Sequence, residues 1–181
     1  MEQLYRSAYA SPLGMLTLAS DGNALVGLWI DGQKYHGGGT FANMVRKDGL
    51  PIFALTKKWL DRYFNGERPK ISELPLAPSG SEFRQAVWKI LCEIPYGETV
   101  TYGNIAKEMA VKMKRERMSS QAVGNAVGHN PISIIIPCHR VVGSGGNLTG
   151  YAGGIEKKIK LLEHEGADMK RFFVPKKGTA L

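Results

Sequence analysis

The chain has 181 residues, 43% apolar and 22% charged, which suits one ordinary domain or two small ones and excludes a disordered or collagen-like chain. Lys and Arg outnumber Asp and Glu by 24 to 16, a net charge of +8, so an anionic partner is expected, nucleic acid being the commonest. Two cysteines make no disulfide framework, no apolar run approaches the ~20 residues that span a bilayer, and the opening MEQLYRSAYASP lacks the basic start and apolar run of a signal peptide. Together these predict a cytoplasmic protein in a reducing compartment.

In chain order, MLTLASDGNALVGLWIDG (15–32) reads as a hairpin. Leu16 and Leu18 alternate with Thr17 and Ala19, and Asp21-Gly22-Asn23 supplies the turn. A loop through Gly37, Gly38 and Gly39 follows. The spacing of Ile52, Leu55, Trp59 and Tyr63 predicts a helix that starts at Pro51 and stops at Asn65-Gly66. Residues 67–80, with Pro69, Pro75 and Pro78, read as a linker. Beyond it Ser81 caps a helix with Phe83, Val87, Ile90, Leu91 and Ile94 on one face, broken at Pro95-Tyr96-Gly97. A second helix covers 101–113, with Ile105, Met109 and Met113 four apart. The charged KRERM then leads to Ser119-Ser120, which cap a third helix of small residues ended by Asn130-Pro131. ISIIIPC (132–138) reads as a short buried strand, 143–154 as a Gly-rich loop, and 155–166 as an amphipathic helix closed by Gly166. An α/β unit is thus followed by a mostly helical one, whose helix pair, third helix and wing-like loop suggest a winged helix-turn-helix.

Cys138 carries the chemical interest. Pro137 cannot continue a central strand, so Cys138 is expected at a strand end with its side chain accessible. A thiol with a pKa of about 8.5 is only slightly ionised at neutral pH and needs a base or a cation before it attacks anything. His139 and Arg140 are adjacent, yet neighbours in an extended chain point to opposite sides, so a water or a tight turn has to connect sulfur and imidazole. Glu165, at a helix end where the macrodipole disfavours a carboxylate, is the candidate for orienting His139. A core cysteine and an exposed glutamate fit the same residue types. Cys92, across its helix from Phe83, reads as structural. The glycines of 143–154 match neither G-x-G-x-x-G nor G-K-[ST], so no phosphate loop is expected, and Tyr151 either stacks on a base or packs. With no C-x-x-C or H-x-x-x-H spacing, no dedicated metal site is expected.

NPISIIIPCHRVVGSGGNLTGYAGG (130–154), with LLEHEG (161–166) behind it, resembles the O6-alkylguanine-DNA alkyltransferase family; the likeness runs from about 82 to 166 and continues more weakly over 1–78. The resemblance implies an RNase H-like α/β domain at 1–78 and a winged helix-turn-helix alkyltransferase domain at 79–181. It implies direct-reversal DNA repair without a cofactor, in which Cys138 takes the alkyl group from guanine O6 and keeps it, so each molecule acts once. His139 would be the base, acting through a water, and Glu165 its orienting partner. Asn130 would be the hinge before the active-site turn, and Tyr102 would help rotate the nucleotide and protonate the leaving base. Val141, through its carbonyl, with Tyr151, Ala152 and Gly153 would line the guanine pocket. Ser120, Gln121, Ala122, Gly124, Asn125 and Arg140 would contact DNA, with helix 119–129 in the minor groove, where small side chains allow close approach. Gln121 stands where many members have an arginine, and Ala152 where some have a serine. Lys112, Lys114, Arg115 and Arg117 are additional phosphate candidates. The expected partner is double-stranded DNA containing alkylated guanine, with O4-methylthymine as a second substrate, met by a monomer. Two rivals remain: a non-enzymatic binder of alkylated DNA, whose relatives lack the cysteine, and a Cys–His hydrolase, which needs an oxyanion hole and turnover.

Overall fold

The computed structural model describes residues 2–176. The chain divides into two compact units: the stretch up to Ser79 together with Pro131–Ile135, and Gly80–Asn130 together with the stretch from Ile136 onward.

The first unit rests on strands β1 (Tyr5–Ser11), β2 (Gly14–Ser20), β3 (Leu25–Ile30) and β4 (Val45–Arg46), in the order β3-β2-β1-β4 with β4 parallel to β1. β2 and β3 are the expected hairpin, with Leu16 opposite Ile30 and Leu18 opposite Leu28. Asp21 Oδ1 closes its turn by accepting from Asn23 N and Ala24 N, both at 2.8 Å. β1 escaped the sequence pattern because YRSAYAS has no branched apolar alternation; it forms by pairing along β2, from Tyr5 opposite Ser20 to Ser11 opposite Gly14. Helix α1 (Pro51–Phe64) buries Ile52, Phe53, Thr56, Trp59, Leu60 and Tyr63. Leu55, expected on that face, is exposed, since at about 100° per residue it falls roughly a quarter-turn from the middle of the buried set. The proline-rich stretch read as a linker is instead packed onto this unit. Pro75 O accepts from Leu25 N and Leu25 O from Ala77 N, both at 2.8 Å, and Trp59 Nε1 donates to Lys70 O at 2.9 Å.

No strand forms over 132–138. Ile132 makes one isolated bridge to Leu28, then Ile134 turns at φ +71° and Ile135 N donates to Ser133 O at 2.8 Å. The isoleucines are buried all the same, and a short apolar run cannot distinguish a buried turn from a buried strand.

The second unit holds α2 (Glu82–Cys92), β5 (Val100–Thr101), α3 (Tyr102–Lys112), α4 (Ser120–Gly128), β6 (Val141–Val142) and α5 (Ile155–His164). Hydroxyl caps start three of the helices: Ser81 accepts from Arg84 N, Thr101 from Asn104 N and Ser119 from Ala122 N; each such cap contributes about 1 kcal/mol. Trp88 Nε1 donates to Ala126 O at 2.9 Å and ties α2 to α4. β5 pairs in parallel with β6, Val100 with Val141 and Thr101 with Val142. This short ladder sets the first residue of α3, Tyr102, beside the turn that precedes β6. Among the described residues, no helix is long and apolar enough to cross a membrane.

Candidate active site

Cys138, His139 and Arg140 form a single 3₁₀ turn after Pro137. Such a turn fans successive side chains about 120° apart, whereas the extended chain expected here would have alternated them. All three are buried. Cys138 is 4% exposed, not accessible as a strand-end side chain would be, because Cys138 N donates to Ile136 O and folds the residue inward.

Behind the turn lies the end of α5. Glu165 caps that helix with its side chain inside the unit, and its carboxylate takes four donors. Oε1 receives His139 Nε2 at 2.7 Å and Arg140 Nη2 at 2.9 Å; Oε2 receives Arg140 Nε at 2.8 Å and Gly97 N at 3.1 Å. Burial pushes this carboxyl up, but the hydrogen bonds from His139 and Arg140, together with the guanidinium charge, outweigh it and hold the pKa well below the usual carboxylate range. Burial also depresses His139, against the pull of Glu165, so the imidazole is neutral. With Nε2–H committed to Glu165, Nδ1 is left without a hydrogen-bond partner among the described residues and is the nitrogen able to take a proton.

On the thiol side, burial raises the Cys138 pKa, so the resting sulfur carries its proton. Four features work in the other direction: the Asn130 amide, the charge of Lys158, and the backbone N–H groups of Cys138 and His139. Asn130 also donates to Ile136 O at 2.8 Å, joining the two points between which the chain leaves this unit for 131–135. Lys158 escaped the sequence reading. It is fully buried, with Nζ on Val141 O at 2.5 Å, Thr149 O at 3.0 Å and Gly150 O at 3.3 Å. Burial brings its pKa down to about 8 while the cysteine opposes the shift. Its place on the buried stripe of α5, with Leu161 and Leu162, was visible in the periodicity, which a polar residue interrupted.

Tyr102 shares two of those acceptors, its hydroxyl donating to Thr149 O at 3.3 Å and Gly150 O at 3.2 Å. Burial and the nearby Cys138 raise its pKa, so it stays a phenol. Tyr151 is buried with its hydroxyl unpaired among the described residues, while Ala152 and Gly153 are half-buried beside it. On α4, Ser120, Gln121, Ala122 and Asn125 are exposed and Gly124 is half-buried, with Val123, Ala126 and Val127 turned inward. Arg140 does not join them. Its guanidinium is buried, engaged with Glu165 and with Ile94 O at 2.6 Å, and lies 5.7 Å from the centre of the Tyr96 ring. The expected DNA contact is corrected accordingly, because reaching a phosphate would break a buried ion pair. Among the described residues no group of His, Cys, Asp and Glu could hold a metal ion.

A sheet unit, a helical unit and, in the latter, a buried thiol next in the chain to a neutral imidazole held on a carboxylate make up a candidate cysteine-nucleophile site. Residues 4–78 match the 6-O-methylguanine DNA methyltransferase, ribonuclease-like domain, and residues 82–167 the 6-O-methylguanine DNA methyltransferase, DNA binding domain. The methylated-DNA–protein-cysteine methyltransferase of Haemophilus influenzae is 42% identical over 91% of this chain and 88% of its own length. That of Methanosarcina acetivorans is 41% identical over 91% and 99%. Among solved structures, Mycobacterium tuberculosis OGT in complex with DNA aligns with a TM-score of 0.78 at 40% identity, covering 93% of this chain and 94% of that one. This chain belongs to the 6-O-methylguanine DNA methyltransferase family.

Proposed function

We propose that this chain repairs alkylated DNA by direct reversal, moving the methyl group of O6-methylguanine onto Cys138 in a single turnover. The observation that carries the reading is the thiol itself: buried, close to the Asn130 amide and the Lys158 cation, with the His139–Glu165 pair behind it. His139 Nδ1 takes the thiol proton through a water. The sulfur then attacks the methyl carbon; the S–C bond forms, the C–O6 bond breaks and its electron pair goes to guanine. The guanine takes a proton from Tyr102, which recovers one from water. Nothing removes the methyl group from sulfur, so each molecule acts once.

A sulfur this buried cannot meet a base inside the stack, so the nucleotide is flipped out. The small exposed side chains of α4 let its backbone approach the minor groove, Gln121 occupies the space the base leaves, and Lys112, Lys114, Arg115 and Arg117, all exposed, bind phosphates. In this reading residues 79–181 are the alkyltransferase domain, with α3 and α4 as the helix-turn-helix and the loop 143–154 as its wing, and residues 1–78 are an RNase H-like domain. Val141, Tyr151, Ala152 and Gly153 line the guanine pocket, O4-methylthymine is a second substrate, and the protein acts as a cytoplasmic monomer. The test is to incubate the protein with methylated duplex DNA and measure its intact mass. One methyl group per molecule, mapped to Cys138, is expected, while Cys138→Ser binds the same DNA and gains nothing. Binding by the wild type without mass gain, or repeated turnover of substrate, overturns the reading.

A further inference from the structure

Arg140 holds more of the site together than any phosphate contact would need. Of the four donors on Glu165 it supplies two, one to each oxygen. Its third bond, to Ile94 O, anchors it to the turn after α2, and the same turn sends Gly97 N to Glu165 Oε2. That turn is closely fitted: Gly97 has φ +77°, and a Cβ there would stand 2.8 Å from Glu165 O. We propose that Arg140 is a positioning residue of the transfer reaction, gripping both Glu165 oxygens so that Oε1 faces His139 Nε2 and Nδ1 is kept for the thiol proton. The proposal rests on Cys138 being the alkyl acceptor.

Two consequences follow from the geometry. Each oxygen already takes two donors, and the guanidinium beside them keeps Glu165 a poor base, so it orients the imidazole without taking its proton. His139 Nε2 and Gly97 N alone would put one donor on each oxygen; the two-pronged guanidinium adds a second to each and fixes the plane of the carboxylate. The second consequence concerns charge. The charged groups facing His139 are Glu165, Arg140 and Lys158, and the Cys138 thiol is its chain neighbour. Glu165 alone would draw a proton onto the imidazole and cost it its function as a base. Burial is the main cause that keeps the ring neutral, and Arg140, beside the same carboxylate, adds to it against the pull of Glu165.

The experiment compares full-length wild type, Arg140→Lys and Arg140→Met in single-turnover methyl transfer from methylated duplex DNA across pH 5 to 9. DNA affinity at two salt concentrations is measured alongside. Removing the guanidinium is expected to move the acid limb of the rate profile upward by about one pH unit, so the rate on that limb falls roughly tenfold. Arg140→Lys, which keeps the charge and loses the fork, should fall between the two, with DNA affinity and its salt dependence unchanged in both variants. A uniform drop at every pH, or weaker DNA binding with a reduced salt slope, overturns the proposal. Should Arg140→Met fail to fold, the His139 ring is titrated by NMR in Arg140→Lys and in the wild type without DNA: an upward shift in the variant supports the assignment and identical midpoints overturn it. That titration needs no alkyl transfer, so a wild type that accepts no methyl group refutes the function without deciding the role of Arg140.

Discussion

Burial sets the protonation state of the ionisable side chains around Cys138, and hydrogen bonds then decide which of them keep a charge. The thiol and the Tyr102 phenol are held protonated, the imidazole neutral, and Glu165 ionised because His139 and Arg140 overcome its burial. Lys158 is the cation nearest to the problem the reaction must solve, since it favours a thiolate that burial opposes. Replacing it by Met should push the Cys138 pKa higher and slow transfer near pH 7, roughly tenfold where the thiol pKa rises by about one. The sign carries a second test. Lys158 loses its proton through about pH 8, so the gap between wild type and Lys158→Met should close as pH rises past that value. Rates measured across the pH range check both points, and a gap that stays constant would reduce Lys158 to holding the Thr149 and Gly150 carbonyls. The sequence exposed Cys138, His139 and Glu165 through a family resemblance. It could not expose Lys158 or the true place of Arg140, because a lysine in an amphipathic helix and an arginine in a basic chain both read as solvated charge.

The helices were legible because each carries local evidence: apolar residues at helical spacing, with a Ser or Thr cap before α2, α3 and α4 and a glycine after α1 and α5. β4, β5 and β6 were not, since two-residue strands exist only through their partners. The Gly-rich loop is ordered in a similarly indirect way by the segment that follows α5. Leu148 N donates to Phe173 O at 2.9 Å and Phe173 N to Gly146 O at 3.0 Å, while Met169 and Phe172 pack on Val142, Leu148 and Leu162. Gly146 makes the approach possible: its φ is +89°, and a Cβ there would lie 1.9 Å from Arg171 O. Gly146→Ala should therefore expel the segment from the loop, at a cost of roughly 2–3 kcal/mol from two backbone hydrogen bonds and a strained φ. Hydrogen exchange reads this directly, with the Leu148 and Phe173 amides losing protection. Unchanged protection in a variant of unchanged melting temperature would show that the loop holds its shape unaided.

Across the molecule, the acid response should single out the second unit. Glu165 titrates well below the ordinary carboxylate value of about 4.3 in the folded chain. Its contribution is therefore complete above that value and is lost as pH falls toward the folded one. Unfolding by urea can be followed at Trp88, which lies in the second unit, through a fluorine label on tryptophan. Below about pH 4 the wild type should lose stability more steeply than Glu165→Gln, by up to ~1.4 kcal/mol per pH unit. At neutral pH the variant should be less stable by about 3–5 kcal/mol, because Arg140 is left buried without its counter-charge. Parallel curves would show that the carboxylate is not ionised in the fold.

The order of the two units and most of the helices were determined by local chemistry that a linear chain displays: period, caps and turn residues; one short motif singled out the candidate cysteine. Tertiary structure decided the rest, for a physical reason common to every case. The 131–136 turn leans on Leu28, and Arg140 is committed to Glu165 and Ile94, 25 and 46 residues away along the chain; a distant partner leaves no periodic trace in the residues it acts upon, and the stripe that holds Lys158 does not show that its cation is desolvated on carbonyls such as that of Val141.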